Sequence, residues 1–389
     1  MDLAFSAADD AFRDEVRTWL AENAPTERRP RSGQAARDFD LGWQRRMYDA
    51  GWGGVAWPVA YGGRDLPLTQ QLIWYEEYAR TGLRPIDTRF VGLAHAGPTL
   101  MARATPEQRT FHLEKILRGD VVWCQGFSEP EAGSDLASLR TRAVVDGDEL
   151  VVTGQKIWTS YADVADWQEL LVRTNPDVPK HKGITWVICD MRLPGIDVRP
   201  IRTMDGGADF NEVFYDEVRI PLTNVVGDID EGWSVAMSTL SFERGTAFTI
   251  SQVQLASSVE RLIEMARRRT SINGTPVITD GALAERLARA RADCAALRAL
   301  TYLGISKNAR SDQPGPEGSM MKLQYADVAK RIYRLGIEIL GARSLAIPDD
   351  EDDTEWVDRH LLAFSSSIGG GTSEIQRNII GERVLGLPR

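Results

Sequence analysis

Two stretches of this chain concentrate residues that can do chemistry. The first is "CQGFSEPEAGSDLASLRTRAVVDGDELVVTGQKIWTS", residues 124–160, which gathers small hydroxyl side chains, Gly133 and a tryptophan around an Asp146-Gly147-Asp148 turn. A surface of this kind can hold a planar aromatic ring system. Hydroxyls and backbone N–H groups bond its polar edge, and an indole covers its face. The second is "IGGGTSEIQR", residues 368–377. Three glycines there run into a helix start, where backbone comes close to a ligand at little steric cost and free N–H groups suit a phosphate. On its own this stretch reads equally as a phosphate cradle, a plain turn, or an active-site loop that has lost a side chain.

Several other chemistries are not supported. The chain has no G-x-G-x-x-G after a strand, no G-x-x-x-x-G-K-[ST] and no H-E-x-x-H. "GFSEP", 126–130, approaches a nucleophile elbow, but its last position is Pro130 and no histidine lies near it in sequence. The four histidines are scattered, so no metal site is expected. The three cysteines, Cys124, Cys189 and Cys294, form no C-x-x-C, and their odd number fits a reduced, cytoplasmic protein. A formal net charge of -10 without a lysine or arginine block argues against nucleic acid or an anionic membrane as partner. The acidic N-terminus lacks a signal-peptide pattern, and no uncharged apolar run has the length of a spanning helix.

The elements that must position these stretches follow from periodicity. At 389 residues, the chain is too long for one core and implies two or three domains. Residues 1–120 read as an α-helical domain. Ser6 and Asp9 resemble a capping box, and Phe12, Val16 and Leu20 recur at helical spacing behind them. Further helices are expected around "QQLIWYEEYAR" and 106–118, separated by the Gly/Pro-rich "GWGGVAWPVAYGG". Residues 121–230 read as a β domain, with a hairpin at Asp146-Gly147-Asp148 and strands at "GITWVICDM" and "NEVFYDEVRIP". Residues 231–389 return to helices. Leu283, Leu287, Ala290, Cys294 and Leu297 form one seam, and Tyr325, Val328, Ile332, Leu335 and Ile339 another, both with the period of a helical bundle. The acidic run "IPDDEDDTEW", 347–356, is expected to be a solvated loop.

Taken in this order, "WPVAYGG", "SEPEAGSD", "GQKIWTS" and "GTSEIQR" strongly resemble the acyl-CoA dehydrogenase family over nearly the whole chain. The resemblance implies an α+β multidomain fold: a helical N-terminal domain, a middle β-barrel or sandwich domain and a C-terminal four-helix bundle. It also implies FAD as cofactor, an acyl-CoA thioester as substrate and an electron-transfer flavoprotein as partner. In the family pattern Phe127 and Ser128 stand at the flavin ring. Gly133 and Ser134 stand at the pyrophosphate, with Ser134 also meeting the acyl-CoA. Trp158, Thr159 and Ser160 stand where the family has a W-I-T triplet, whose indole shields the flavin and whose last hydroxyl lies near N5. Gly371, Thr372 and Glu374 match positions at the FAD phosphates and ribityl chain.

The reaction so implied is α,β-dehydrogenation: a carboxylate removes the α proton and the β hydrogen leaves as hydride to flavin N5. Many members place that carboxylate just before the final G-T, where this chain has Gly370. Glycine takes no proton. It keeps the backbone N–H that the family uses to hold the thioester oxygen. The family's second location for the base matches Glu243, whose row Ala236, Leu240, Ala247 and Ile250 is small and apolar and would raise a carboxyl pKa toward neutrality. Arg244 beside it is expected to shape the substrate pocket. The family's R-x-T-F segment, which meets the neighbouring subunit's FAD, is here "ARRRTSINGTPV", and a later G-G step is Gly341-Ala342. Both departures put completion of the FAD site by a second identical chain in doubt, and two assemblies stay open: a homo-oligomer, or an α2β2 with a homologous chain as in some actinobacterial members that act on sterol side chains. A same-fold oxidase or monooxygenase and a non-catalytic subunit are the competing functions.

Overall fold

The computed structural model describes residues 5–84, 87–242, 248–308, 317–345 and 351–388. The helices in these residues are α1 (Ala7–Asn23), α2 (Gly33–Asp49), α3 (Leu68–Arg80), α4 (Gly97–Arg103), α5 (Pro106–Arg118), α6 (Gly232–Phe242), α7 (Phe248–Arg268), α8 (Gly281–Asn308), α9 (Glu317–Leu340), α10 (Glu351–Ala363) and α11 (Ser373–Ile379). The strands are β1 (Trp123–Gly126), β2 (Arg142–Asp146), β3 (Glu149–Ser160), β4 (Trp167–Arg173), β5 (Ile184–Asp190), β6 (Ile196–Ile201) and β7 (Phe210–Pro221). The chain divides into two compact units, one drawn from residues 1–20, 68–85 and 244–389, the other from 21–67 and 86–243.

The second unit is built on one mixed sheet with strand order β1-β4-β2-β3-β7-β6, and β5 pairs with β4. Its centre is the long antiparallel pair β3–β7. The turn read from Asp-Gly-Asp closes the β2–β3 hairpin, with Asp146 opposite Glu149 and Gly147 at φ 64°. Periodicity had not marked β1, β4 and β6. In β4 the residues Gln168, Glu169, Leu170, Leu171 and Val172 are all buried, so no polar alternation betrays the strand. Trp123, Trp186, Leu171, Ile184 and Ile188 from the sheet share a core with Ile116, Leu117, Val235 and Ala236 from the helices.

In the first unit, α1 starts with the reciprocal bonds expected of a capping box. The Ser6 amide donates to Asp9 Oδ2 (2.9 Å) and the Asp9 amide to Ser6 Oγ (3.2 Å). The two seams behave as their spacing requires. Leu283, Leu287, Ala290, Cys294 and Leu297 of α8 are buried together with Val328, Ile332, Leu335 and Ile339 of α9, and Tyr325 packs against them. α7 and α10 complete a four-helix bundle.

The acidic run 347–356 departs from the loop expectation. Residues 347–350 lie outside the described residues, but Glu351 onward is helical, and Trp356 is buried in the bundle core. The physical reason is that Trp356, Val357 and Ala363 supply an apolar face.

Candidate active site

The middle-domain residues are brought together by β1, the turn that follows it, and β3. After β1, Phe127 is buried and Ser128 half-buried. A tight turn then pairs Glu129 with Ala132 through two backbone bonds of 3.1 and 3.0 Å. It leaves Gly133 and Ser134 exposed, with nothing within 4 Å of where a Cβ on Gly133 would lie. The Ile157 amide of β3 donates to the Ser128 carbonyl at 2.9 Å, so the two segments run side by side.

Just beyond this contact, the β3–β7 register shifts between Lys156 and Thr159. Trp158 sits in that bulge with φ 60°, a left-handed conformation that a bulky side chain adopts only when the surroundings enforce it. Its indole is 55% exposed, with the Phe210 ring edge-on at 6.0 Å. Ser160 is half-buried, whereas Thr159 is fully buried. The Thr159 carbonyl accepts from Asn211 Nδ2 (3.1 Å), and among the described residues its hydroxyl has no partner. Of the triplet, Trp158 and Ser160 are therefore the accessible side chains. An exposed indole flanked by hydroxyls, with open space over Gly133, fits a planar ring that carries polar edges.

A buried ion pair underlies this surface. Lys156, fully buried, donates through Nζ to Glu129 Oε1 (2.8 Å) and to the Phe127 carbonyl (3.1 Å). Glu129 also accepts the Arg140 amide (2.6 Å) and the Thr141 amide (2.8 Å). Burial pushes the Glu129 carboxyl up, but the Lys156 charge and these bonds outweigh it and hold the group below its usual range. Burial lowers the ammonium to about 8, against the pull of Glu129. The sequence reading did not single out either residue. The available signal was a lysine on the inward register of β3, two turns of the pleat after buried Val152, where a charge needs a partner.

The glycine-rich loop lies in the other compact unit and is built around Gln376. Gly370 and Gly371 both have left-handed φ, 63° and 85°. Gln376 Nε2 donates to both of their carbonyls at 3.1 Å, and Lys322 Nζ of α9 donates to the Gly371 carbonyl as well. A Cβ on Gly371 would lie 2.7 Å from Gln376 Nε2. Thr372 caps α11, its Oγ1 accepting the Ile375 amide at 3.2 Å. Glu374 is exposed in the first turn and pairs with Arg377 at 3.3 Å. Gln376 and Lys322 were not anticipated, because neither spacing nor composition shows which carbonyls a side chain will reach.

Glu243 and Arg244 lie outside the described residues, between the end of α6 at Phe242 and the start of α7 at Phe248. Of the apolar row proposed for Glu243, Ala236 and Ile250 are buried and Leu240 half-buried, while Ala247 is also outside the described residues. α6 is anchored by Thr239, whose Oγ1 accepts from Thr99 Oγ1 at 2.9 Å in the buried core. In the "ARRRTSINGTPV" segment, Thr270 bridges Pro276, and Ile272 at the tip is fully exposed.

Family models for the N-terminal, middle and C-terminal domains of acyl-CoA dehydrogenases match residues 6–120, 124–218 and 230–385. The chain belongs to the acyl-CoA dehydrogenase family. It is 39% identical to acyl-CoA dehydrogenase IpdE1 of Mycobacterium tuberculosis, over 98% of each chain. Among solved structures it is similar to the Tcur3481–Tcur3483 steroid ACAD (32% identity, TM-score 0.87) and to the ChsE4–ChsE5 complex from Mycobacterium tuberculosis (33%, TM-score 0.86), each covering 100% of both chains. The chain is thus an oxidoreductase of the acyl-CoA dehydrogenase type, and the expected succession of helical, β and helical domains holds. Among the described residues no helix is long and apolar enough to cross a membrane, and no group of three His, Cys, Asp or Glu is placed to hold a metal.

Proposed function

We propose that this chain catalyses α,β-dehydrogenation of an acyl-CoA thioester to the trans-2-enoyl-CoA, with Glu243 taking the α proton. The observation that carries the reading is the Trp158 bulge. A half-exposed indole held in a left-handed conformation beside Ser128 and Ser160 is strained and open to solvent, as expected of a surface meant for a ligand. Phe127, Ser128, Gly133, Ser134, Trp158 and Ser160 would hold FAD with the backbone of Thr159, and Gly371, Thr372 and Glu374 would hold its phosphates and ribityl chain. Bound FAD supplies a two-electron acceptor for the hydride that leaves the β carbon.

The chain's own residues supply the remaining steps. The α proton of a thioester is weakly acidic, so enolate charge on the carbonyl oxygen needs a donor, and the Gly370 amide fills that role. Proton removal falls to Glu243 as general base. Ser134 and Arg244 contact the substrate, and electrons pass onward to an electron-transfer flavoprotein. Solved relatives named as a steroid ACAD and as a two-component complex support a bulky, sterol-derived acyl group and an α2β2 assembly with a homologous chain.

The test is anaerobic titration of the purified full-length chain with a panel of acyl-CoAs, following flavin absorbance. Bleaching by a bulky acyl-CoA that is abolished in Glu243→Gln with flavin retained supports the reading, and rapid bleaching in Glu243→Gln sinks the base assignment. Glycine at the usual base position favours one second reading, a non-catalytic subunit. A chain that stays yellow with every substrate would establish it.

A further inference from the structure

The buried pair under the flavin-facing surface is the feature that the chemistry above leaves unused. Three donors make four hydrogen bonds to two acceptor groups there. Lys156 Nζ and the amides of Arg140 and Thr141 reach the Glu129 carboxylate, and Lys156 Nζ also reaches the Phe127 carbonyl. The bonded groups flank the residues of interest on both sides. Phe127 and Glu129 bracket Ser128, Lys156 lies two residues before Trp158, and the Ile157 amide meets the Ser128 carbonyl between them at 2.9 Å. Trp158 itself cannot relax into ordinary strand geometry without changing this register.

A buried ion pair is a poor device for stability alone, since apolar side chains of equal volume generally serve as well or better. Two apolar side chains cannot, however, hydrogen-bond the Phe127 carbonyl or fix the angle at which one backbone segment crosses another. We propose that Lys156 and Glu129 are positioning residues that lock the Phe127–Ser128 segment to Ile157–Trp158, so that the Ser128 edge and the Trp158 face are presented to the flavin at one fixed spacing. The inference rests on the reading that this surface takes FAD. The charged and titratable groups around the pair are Arg173 of β4, which opposes the Lys156 charge, and Tyr215 of β7, which feels Glu129. Neither replaces the direct contacts.

The test uses the full-length chain carrying Lys156→Met together with Glu129→Gln. This pair of changes removes both charges and keeps similar volume; because the Arg140 and Thr141 amides bond different oxygens of Glu129, the single glutamine oxygen keeps one of those two bonds. Three quantities are measured: urea midpoint, hydrogen exchange at the Ile157 amide, and FAD affinity by flavin fluorescence with the visible circular dichroism of the bound flavin. The expected result is a modest fall in urea midpoint, Ile157 exchange at least tenfold faster, FAD binding at least tenfold weaker and an altered flavin dichroism. Single Lys156→Met, which strands the Glu129 charge, should lose more stability than the double variant. Wild-type FAD affinity, dichroism and Ile157 exchange in the double variant would overturn the positioning role. A wild-type chain that binds no FAD either alone or assembled with a homologous partner chain, with Ile157 exchange still accelerated in the double variant, overturns the functional reading and leaves the pair a lock on the backbone alone.

Discussion

The two left-handed glycines of the C-terminal loop should respond differently to the same substitution. At Gly370, φ is 63° and the residue is exposed, so the backbone cost of Gly370→Ala is that of an L-residue in the left-handed region, roughly 1–2 kcal/mol. At Gly371, φ is 85° and the added Cβ would lie 2.7 Å from Gln376 Nε2. That amide must move, and its bonds to the Gly370 and Gly371 carbonyls, at about 1 kcal/mol each, weaken with it. Gly371→Ala therefore costs roughly 2–4 kcal/mol by the same accounting. Urea unfolding gives the global part of each cost, and hydrogen exchange at Ile375, whose amide is capped by Thr372, gives the local part. The expected order is Gly371→Ala well below Gly370→Ala, with Gln376→Ala resembling Gly371→Ala. A Gly370→Ala loss equal to or larger than that of Gly371→Ala would refute the loop geometry. The same backbone bears on Gly370→Glu. A carboxylate placed at that position starts from a strained conformation, so the variant should be less stable and should not restore turnover to Glu243→Gln.

Further expectations follow from the middle domain and the helices packed on it. Trp158→Gly relieves a left-handed strain of roughly 1–2 kcal/mol against a glycine entropy penalty of about 0.5–1 kcal/mol, but it also gives up the buried part of the indole and its Phe210 contact, so urea midpoints should fall modestly while FAD affinity falls about tenfold or more. His112, packed against Phe111, Trp123 and Trp167, is lowered to about 4 by burial and by Lys115. The unfolded chain then binds the proton between the usual 6.5 and about 4, so stability present above pH 6.5 is lost as pH falls through that window, by at most about 3 kcal/mol. Urea midpoints at pH 7 and pH 5 should differ less in His112→Leu than in the wild-type chain, and an unchanged difference would count against His112 as the source. Glu243→Gln should keep its flavin spectrum and lose substrate bleaching in stopped flow by a factor of at least about 100, the scale of a general base.

Much of the helical architecture was legible because it rests on a repeated local signal. The α8 and α9 seams are each five residues long at bundle spacing, and nearly every one of those residues is buried. The α1 cap needs only Ser6 and Asp9, three residues apart. The sheet was half legible. β2 and β3 carry apolar runs on either side of an Asp-Gly turn, whereas β4 is buried on both faces, with Gln168 and Glu169 inside it, and so shows no period. The acidic run misled for a related reason. Charge density near 351 looks like solvent exposure, but a helix needs only one apolar stripe, and Trp356 with Val357 and Ala363 provides it.

The candidate site divides along the same physical line. Residue types that can bind a ring or a phosphate can be singled out by composition, and so Trp158 and the Gly370–Thr372 run were marked as candidates, with Ser160 added by the family resemblance. What composition does not carry is backbone handedness at a residue that is not glycine. Gly370 and Gly371 announce a left-handed loop by being glycine. Trp158, at φ 60°, adopts the same region with one of the largest side chains, and its neighbour Tyr161 does so at 59°. Such a conformation persists only where surrounding bonds outweigh it. At Trp158 those bonds run through the β3–β7 register shift, the Ile157–Ser128 contact and the Lys156–Glu129 pair, which come from three separate stretches of chain. The sequence signal for the site was therefore strongest where the local residue bears the conformational burden alone. It was weakest where distant residues share it, and at those places a buried lysine on an inward strand position was the clue to follow.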